Sequence, residues 1–131
     1  VHHLAGLYQK SRSSNDINPL KFRLGPRFIE SVNDRGLHNN ETVLRGIIRA
    51  ASDTIADKAK EIPGYRLHDV RKSKAGNSPQ RVRDVDQAKA WSLTISRYGA
   101  GWRMYYWQIP TSEGSVIEFA NVSKESVREI Y

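Results

Sequence analysis

The sequence predicts an α+β domain in which N-terminal helices pack on one face of a small antiparallel β-sheet. Two hydrophobic periods predict it. From Val43 to Ile62 apolar residues recur at three- and four-residue steps, the mark of an amphipathic helix. From Trp91 the step becomes two, with Trp91, Leu93 and Ile95 alternating with Ser92, Thr94 and Ser96. Turn residues then divide the strands at Gly99-Ala100-Gly101 and at Thr111 to Gly114. Helices therefore come first and a meander follows. The 131 residues suit a single domain, 1–131. It divides into a helical part over 1–62, a basic connecting segment over 64–83, and a β-meander with a terminal turn over 91–131.

Each element has its own signal. Leu4, Leu7 and Tyr8 share one face of a short first helix, and the polar run Ser11 to Asn18 reads as a loop. Pro26 suits the first turn of a second helix, where its missing N–H costs nothing. Phe28, Ile29 and Val32 give that helix its apolar side, and Gly36 is its stop. Asn40 is a good N-cap for the third helix, and Glu41 sits in the first turn, where the helix dipole favours an acid. Val43, Leu44, Ile47, Ile48, Ala51, Ile55, Ala59 and Ile62 form its apolar face, and Pro63-Gly64 ends it. Its charges balance, so it reads as a scaffold rather than a binding surface. Tyr65 to Val70 reads as a short strand, Lys72 to Pro79 as a loop and Arg81 to Lys89 as a short helix. Trp102 to Ile109 is apolar on both faces, as a central strand should be, and Pro110 ends it. Val116 to Val122 forms the last strand. Ser123 then caps a terminal helical turn, with Val127, Ile130 and Tyr131 facing inward.

Composition narrows the function. Hydrophobic residues make up 38%, enough for a modest core and too many for a disordered chain. No apolar run is long enough to span a membrane, and no signal peptide is visible. Val1 in place of Met implies a processed chain or a piece of a longer protein. There is no cysteine, so disulfides and thiolate metal sites are excluded. The histidines, at 2, 3, 38 and 68, offer no metal spacing, so no metal or other cofactor is expected. The net charge is +7 and the pI about 9.9, which favours nucleic acid or an acidic protein as partner. The charge is clustered. Between Gly64 and Arg83 stand Arg66, Arg71, Lys72, Lys74, Arg81 and Arg83 against the single acid Asp69, a balance of +5.

Gly101-Trp102-Arg103-Met104-Tyr105-Tyr106 opens a strand directly after a tight turn. It resembles the G-Y-R-hydrophobic-hydrophobic-Y segment of the RelE family of ribonuclease toxins. After the next hairpin, Ile117 to Tyr131 resembles that family's last strand and tail. Val122, Lys124, Glu129, Ile130 and Tyr131 fall into register without a gap. The likeness covers about a third of the chain. It implies a small antiparallel sheet packed by N-terminal helices. It also implies RNA cleavage by attack of the ribose 2′-hydroxyl on the neighbouring phosphate. By position, Arg103 matches the arginine that supports the scissile phosphate, Tyr131 the C-terminal tyrosine near the attacking ribose, and Lys124 a basic residue at the strand end. The chain departs from the family in two places. Glu125 stands where an arginine normally follows Lys124, and Thr94 and Ser96 stand where the best-known member carries two lysines.

Metal-free RNA cleavage needs a group that takes the 2′-hydroxyl proton, one that protonates the leaving 5′-oxygen, and cations for the phosphorane charge. Arginine suits the last role because its fork matches two phosphate oxygens. Histidine suits the first two, and His68 lies inside the basic stretch. Arg71, Lys72, Lys74 and Arg97 are the expected RNA-binding cations. Most of Tyr98, Trp102, Tyr105, Tyr106 and Trp107 belong to a core, with one or two rings left to stack bases.

The sequence thus points to a metal-independent ribonuclease toxin, either of a toxin–antitoxin pair or as the C-terminal domain of a protein delivered from another cell. Its partners would be RNA (tRNA or mRNA, on or off the ribosome) and an acidic antitoxin or immunity protein, and its site of action the cytoplasm. Two alternatives remain open at this level. One is a ParE-like toxin that blocks gyrase without catalysis, and the other is a plain nucleic-acid-binding domain.

Overall fold

Among the described residues the first element is a strand. Lys21 to Leu24 alternate exposed and half-buried and form β1 (Lys21–Leu24). The computed structural model describes residues 19–34, 36–72, 78–96, 101–124 and 130–131. The first helix expected around Leu4, Leu7 and Tyr8 and the loop over 11–18 lie outside the described residues. So do residues 73–77 of the basic loop and Gly99-Ala100. The part expected to be helical, 1–62, therefore contains a strand. β1 runs parallel to the last strand, with Phe22 opposite Ile117 and Leu24 opposite Phe119.

Gly25 turns the chain off the sheet. Its N–H donates to the Phe119 carbonyl at 2.7 Å. Pro26 and Arg27 form a turn ahead of α1 (Phe28–Asp34), which buries Phe28 and Val32. Gly36, with φ of 67°, then lets the chain reverse. Asn40 caps α2 (Glu41–Ile55) as expected, its side chain accepting from the Val43 N–H at 3.2 Å. The helix buries Val43, Ile47, Ala50, Ala51 and Ile55.

α2 stops at Ile55, short of the Ile62 that the apolar period suggested. Asp57 takes a left-handed conformation, φ 58°, and the Lys58 N–H reaches back to the Asp53 carbonyl at 2.8 Å. This is a Schellman ending with Asp57 in the usual glycine position. The Ile55 carbonyl is taken by Leu20 N–H at 2.8 Å, so no further turn is built on it. Ala59 is still buried, but by a 3-10 turn at Ala59–Glu61.

Five more strands follow: β2 (His68–Asp69), β3 (Val82–Arg83), β4 (Ala88–Ser96), β5 (Trp102–Thr111) and β6 (Gly114–Lys124). The sheet order is β1-β6-β5-β4-β2, with β3 also on the outer edge of β4. Every pairing but β1–β6 is antiparallel. The short helix expected over Arg81 to Lys89 is instead a hairpin. Val82 and Arg83 pair with Lys89 and Ala88. Asp86 makes the turn, its carboxylate accepting from the Ala88 N–H at 3.1 Å and from the Arg83 side chain. Pro110 does not end β5. It lies opposite Ser115 near the hairpin end, past the last β4 pairing at Gln108, where its missing N–H costs no β4 bond. Ser123 is a strand residue opposite Arg103, not a helix cap, and Val127 lies outside the described residues.

Both described helices cover one face of the sheet. Phe28, Val32, Val43, Ile47 and Ile55 pack there with Leu93, Met104, Tyr106, Phe119 and Val122. A smaller cluster of Ala88, Ala90, Tyr105, Trp107, Ile109, Ala120 and Ile130 forms on the opposite face. A bulge between Tyr105 and Tyr106 makes room for Ala120, and Tyr105 faces Asn121 while Tyr106 faces Phe119.

α2 comes close to β4 at Gly46, where an added Cβ would stand 2.7 Å from Ile95 Cγ2. Gly46→Ala gains about 1 kcal/mol of helix propensity. Overpacking against a β-branched side chain costs about 1–3 kcal/mol. The variant is therefore expected to be less stable in urea unfolding. Gly64→Ala, with nothing within 4 Å of its Cβ, should be neutral. Equal or greater stability of Gly46→Ala would show that the contact is not tight.

Candidate active site

The sheet's period of two sorts its chemistry. With Leu93, Met104 and Val122 turned to the helices, their chain neighbours face the other way. Three pairings align four of these across the sheet. His68 lies opposite Ser92, Ser92 opposite Tyr105, and Tyr105 opposite Asn121. One step along, Thr94 lies opposite Arg103 and Arg103 opposite Ser123. Ser92, Tyr105, Asn121 and Ser123 are all buried, each no more than 2% exposed.

His68 is the exposed end of the row. Its Nδ1 lies 2.8 Å from the Arg66 carbonyl and its Nε2 lies 3.3 Å from Ser92 Oγ. A neutral ring protonated on Nδ1 donates to the carbonyl and leaves Nε2 as a base. Arg66 adopts a left-handed conformation, φ 49° and ψ 47°, at the end of the Pro63–Tyr65 turn. The Nε2 contact is long for a hydrogen bond to a hydroxyl, so an incoming hydroxyl can replace it.

Arg103 is half-buried, and its Nε is closed to solvent. His68 and Arg103 are two strands and two residues apart, roughly 12 Å between Cα atoms. Ser92 and Tyr105, both buried, stand between them in the register. Tyr131 reaches the same face from the β6 side. Its N–H donates to Asn121 Oδ1 at 3.0 Å, and its carbonyl accepts from Trp107 Nε1 at 3.0 Å. Its ring lies against the Arg27 guanidinium, 4.2 Å from centroid to Cζ.

Lys124 is not brought to this group. It pairs with Trp102, and its Nζ lies 5.9 Å from the Trp102 ring, on the helix side. Arg71 and Lys72 are exposed just beyond β2. Arg71 bridges to Gln80 and lies 3.9 Å from the Asp69 carboxylate. Lys74, Arg97 and Glu125 lie outside the described residues. Thr94 stands beside Arg103 on the same face, and Ser96 pairs with Trp102. Among the described residues no group of three His, Asp or Glu side chains is placed to hold a metal ion. No described helix is long and apolar enough to cross a membrane.

Sequence reasoning missed the anchor of this face. Glu118, in β6, is buried and accepts from Arg83 Nη1 and from Arg23 Nε, both at 2.7 Å. Arg83 also binds Asp86 at 2.7 Å and lies over the Trp107 ring at 4.9 Å. Arg83 had counted toward the basic stretch, yet it is spent here. The available signal was Glu118 itself, since a carboxylate in an apolar strand must find a cation.

Comparison with protein-family models, with curated proteins and with solved structures returned no match. The likeness to the RelE family rests on the residue pattern.

Burial works to raise the Glu118 carboxyl, but the Arg83 and Arg23 contacts together outweigh it and hold it below the usual range. The Arg83 bond likewise lowers Asp86. A depressed carboxylate contributes stability above its unfolded pKa and loses it as pH falls through the folded value. Stability should therefore decline as pH drops below about 4. Glu118→Gln should cost up to about 3 kcal/mol at neutral pH and flatten that acid limb. Urea unfolding from pH 7 to pH 3 checks both. An equally steep acid limb in the variant would assign the effect elsewhere.

Proposed function

We propose that this chain is a metal-independent ribonuclease that cleaves RNA through 2′-hydroxyl attack on the adjacent phosphate. The observation that carries the reading is the placing of His68 and Arg103 on the one sheet face that the described helices leave uncovered. His68 Nε2 takes the 2′-hydroxyl proton as the 2′-oxygen bonds to phosphorus. The Arg103 guanidinium balances the charge that builds on the phosphoryl oxygens. The 5′-oxygen leaves with a proton from the imidazolium or from water. The products are a 2′,3′-cyclic phosphate and a 5′-hydroxyl. Tyr131, whose backbone is tied to Asn121 and Trp107, is assigned the ribose side on the strength of the RelE resemblance alone. Lys124, on the other side of the sheet, takes no part in this chemistry.

The basic segment supplies binding. Arg83 is held by Glu118 and Asp86, so Arg66, Arg71, Lys72, Lys74 and Arg81 carry the phosphate contacts. We read the protein as a growth-inhibiting toxin acting in the cytoplasm, held silent by an acidic antitoxin or immunity protein. Expression of the chain alone should arrest growth and co-expression of such a partner relieve it. Healthy growth at high yield of the unaltered chain would contradict the toxin reading.

Two measurements test the nuclease. Purified protein with total RNA in EDTA should yield cyclic-phosphate ends. Arg103→Ala should lower turnover by about 10²-fold or more, roughly 3 kcal/mol, with a stability change near 1 kcal/mol. A variant that melts far lower while its folded fraction keeps full activity would make Arg103 a structural strut. Separately, replacing Arg71, Lys72 and Lys74 by Ala should reduce the salt slope of RNA binding by about 2. An unchanged slope would remove the segment from the interface.

A further inference from the structure

A cavity of about 450 Å³ opens on the helix side of the sheet, between the end of α2 and β4. Its size is that of a small-molecule site, for which roughly 300–1,000 Å³ is usual. The buried side chains of Tyr106 and Ile117 form its floor, and Trp91 is half-buried in its wall. Arg66 and Lys60 stand exposed at its rim. Lys60 lies 3.8 Å from Asp57, whereas Arg66 forms no ion pair among the described residues.

Two features identify the occupant. The first is a flat aromatic wall beside a fixed amide. Gln108 Oε1 accepts from Trp91 Nε1 at 3.0 Å, and Gln108 Nε2 donates to Ser115 Oγ at 3.3 Å. The amide can no longer flip, yet it keeps one lone pair and one N–H free of those two bonds. Such a pair of fixed donor and acceptor beside a ring suits the edge and face of a nucleobase. The cations at the rim suit its phosphate.

The second feature is position. Arg66 and Leu67 line the cavity, and His68, the next residue, faces the opposite side of the sheet. β2 is two residues long and forms one end of the sheet order. Arg66 serves both sides, its carbonyl on His68 and its side chain at the cavity rim.

We propose that the cavity is a ribonucleotide subsite. It holds a base against Trp91 and Gln108 and a phosphate on Arg66 and Lys60, while the cleaved phosphate lies across the β2 edge at His68 and Arg103. The RNA assignment rests on the ribonuclease reading above. The subsite would give the enzyme a base preference a short distance from the cut.

The four ribonucleoside 5′-monophosphates, titrated singly into the full chain, test it. The Trp91 indole and Gln108 side-chain amide resonances should shift saturably with at least one of them. Arg66→Ala should weaken that binding tenfold or more, and Leu67→Trp, which fills the cavity, should abolish it. With a random-sequence RNA pool, Leu67→Trp should lose the base preference of the parent. Trp91 and Gln108 resonances that stay unmoved by all four nucleotides would overturn the subsite, as would an unchanged base preference in Leu67→Trp. Cleavage without nucleotide binding would thus sink the subsite alone. Saturable binding at Trp91 without any RNA cleavage would support the nucleotide site and sink the ribonuclease.

Discussion

The contact between α2 and β4, tight where Gly46 meets Ile95, decides how the rest of the molecule can be arranged. α2 lies so near the sheet that it buries one face with Val43, Ile47 and Ile55 against it. β4 and β5 must then turn Leu93, Met104 and Tyr106 toward it. Period-two geometry sends Ser92, Thr94, Arg103 and Tyr105 the other way. The chemistry-bearing face follows from where the helix sits.

That second face is buried without a described helix to cover it. Several polar groups there are satisfied locally, as burial favours. Asn121 holds both the Tyr131 N–H and Ser123 Oγ, and Ser92 meets His68. Glu118 gathers Arg83 from β3 and Arg23 from β1, so strands at opposite sides of the sheet share one carboxylate. The network also separates the chain's cations into two kinds. Arg83 and Arg23 hold the fold together, whereas Arg66, Arg71 and Lys72 stand in solvent near β2. A charge count along the sequence cannot make this distinction, because it depends on which carboxylate folding brings near.

What the sequence revealed and what it hid have physical reasons. α2 was legible because Asn40, Glu41 and a long apolar period agree, and β4 to β6 because alternation and turn residues agree. β1 was not legible. Its four residues carry no turn signal, and its partner Ile117 is far along the chain. The helix end at Ile55 was hidden because Ala59 continues the apolar rhythm in a 3-10 turn. Arg81 to Lys89 lacked alternation, and its hairpin depends on the side-chain bonds of Asp86. Within the site, His68 and Arg103 were legible as residue types, but their common face depends on register. Lys124 was carried over by motif, and register turns it to the helix side. Ser92 fell on the polar side of the alternation and Ser123 read as a helix cap, yet both are buried in the rows beside His68 and Arg103.

The central claim is that RNA lies over His68 and Arg103. Amide and side-chain NMR shifts on adding a 2′-O-methyl oligoribonucleotide, which binds but cannot be cleaved, test it most directly. The account predicts saturable shifts at His68, Ser92, Thr94 and Arg103, with the outer surface of α2 unmoved. Tight binding that leaves His68 and Arg103 unshifted would contradict it.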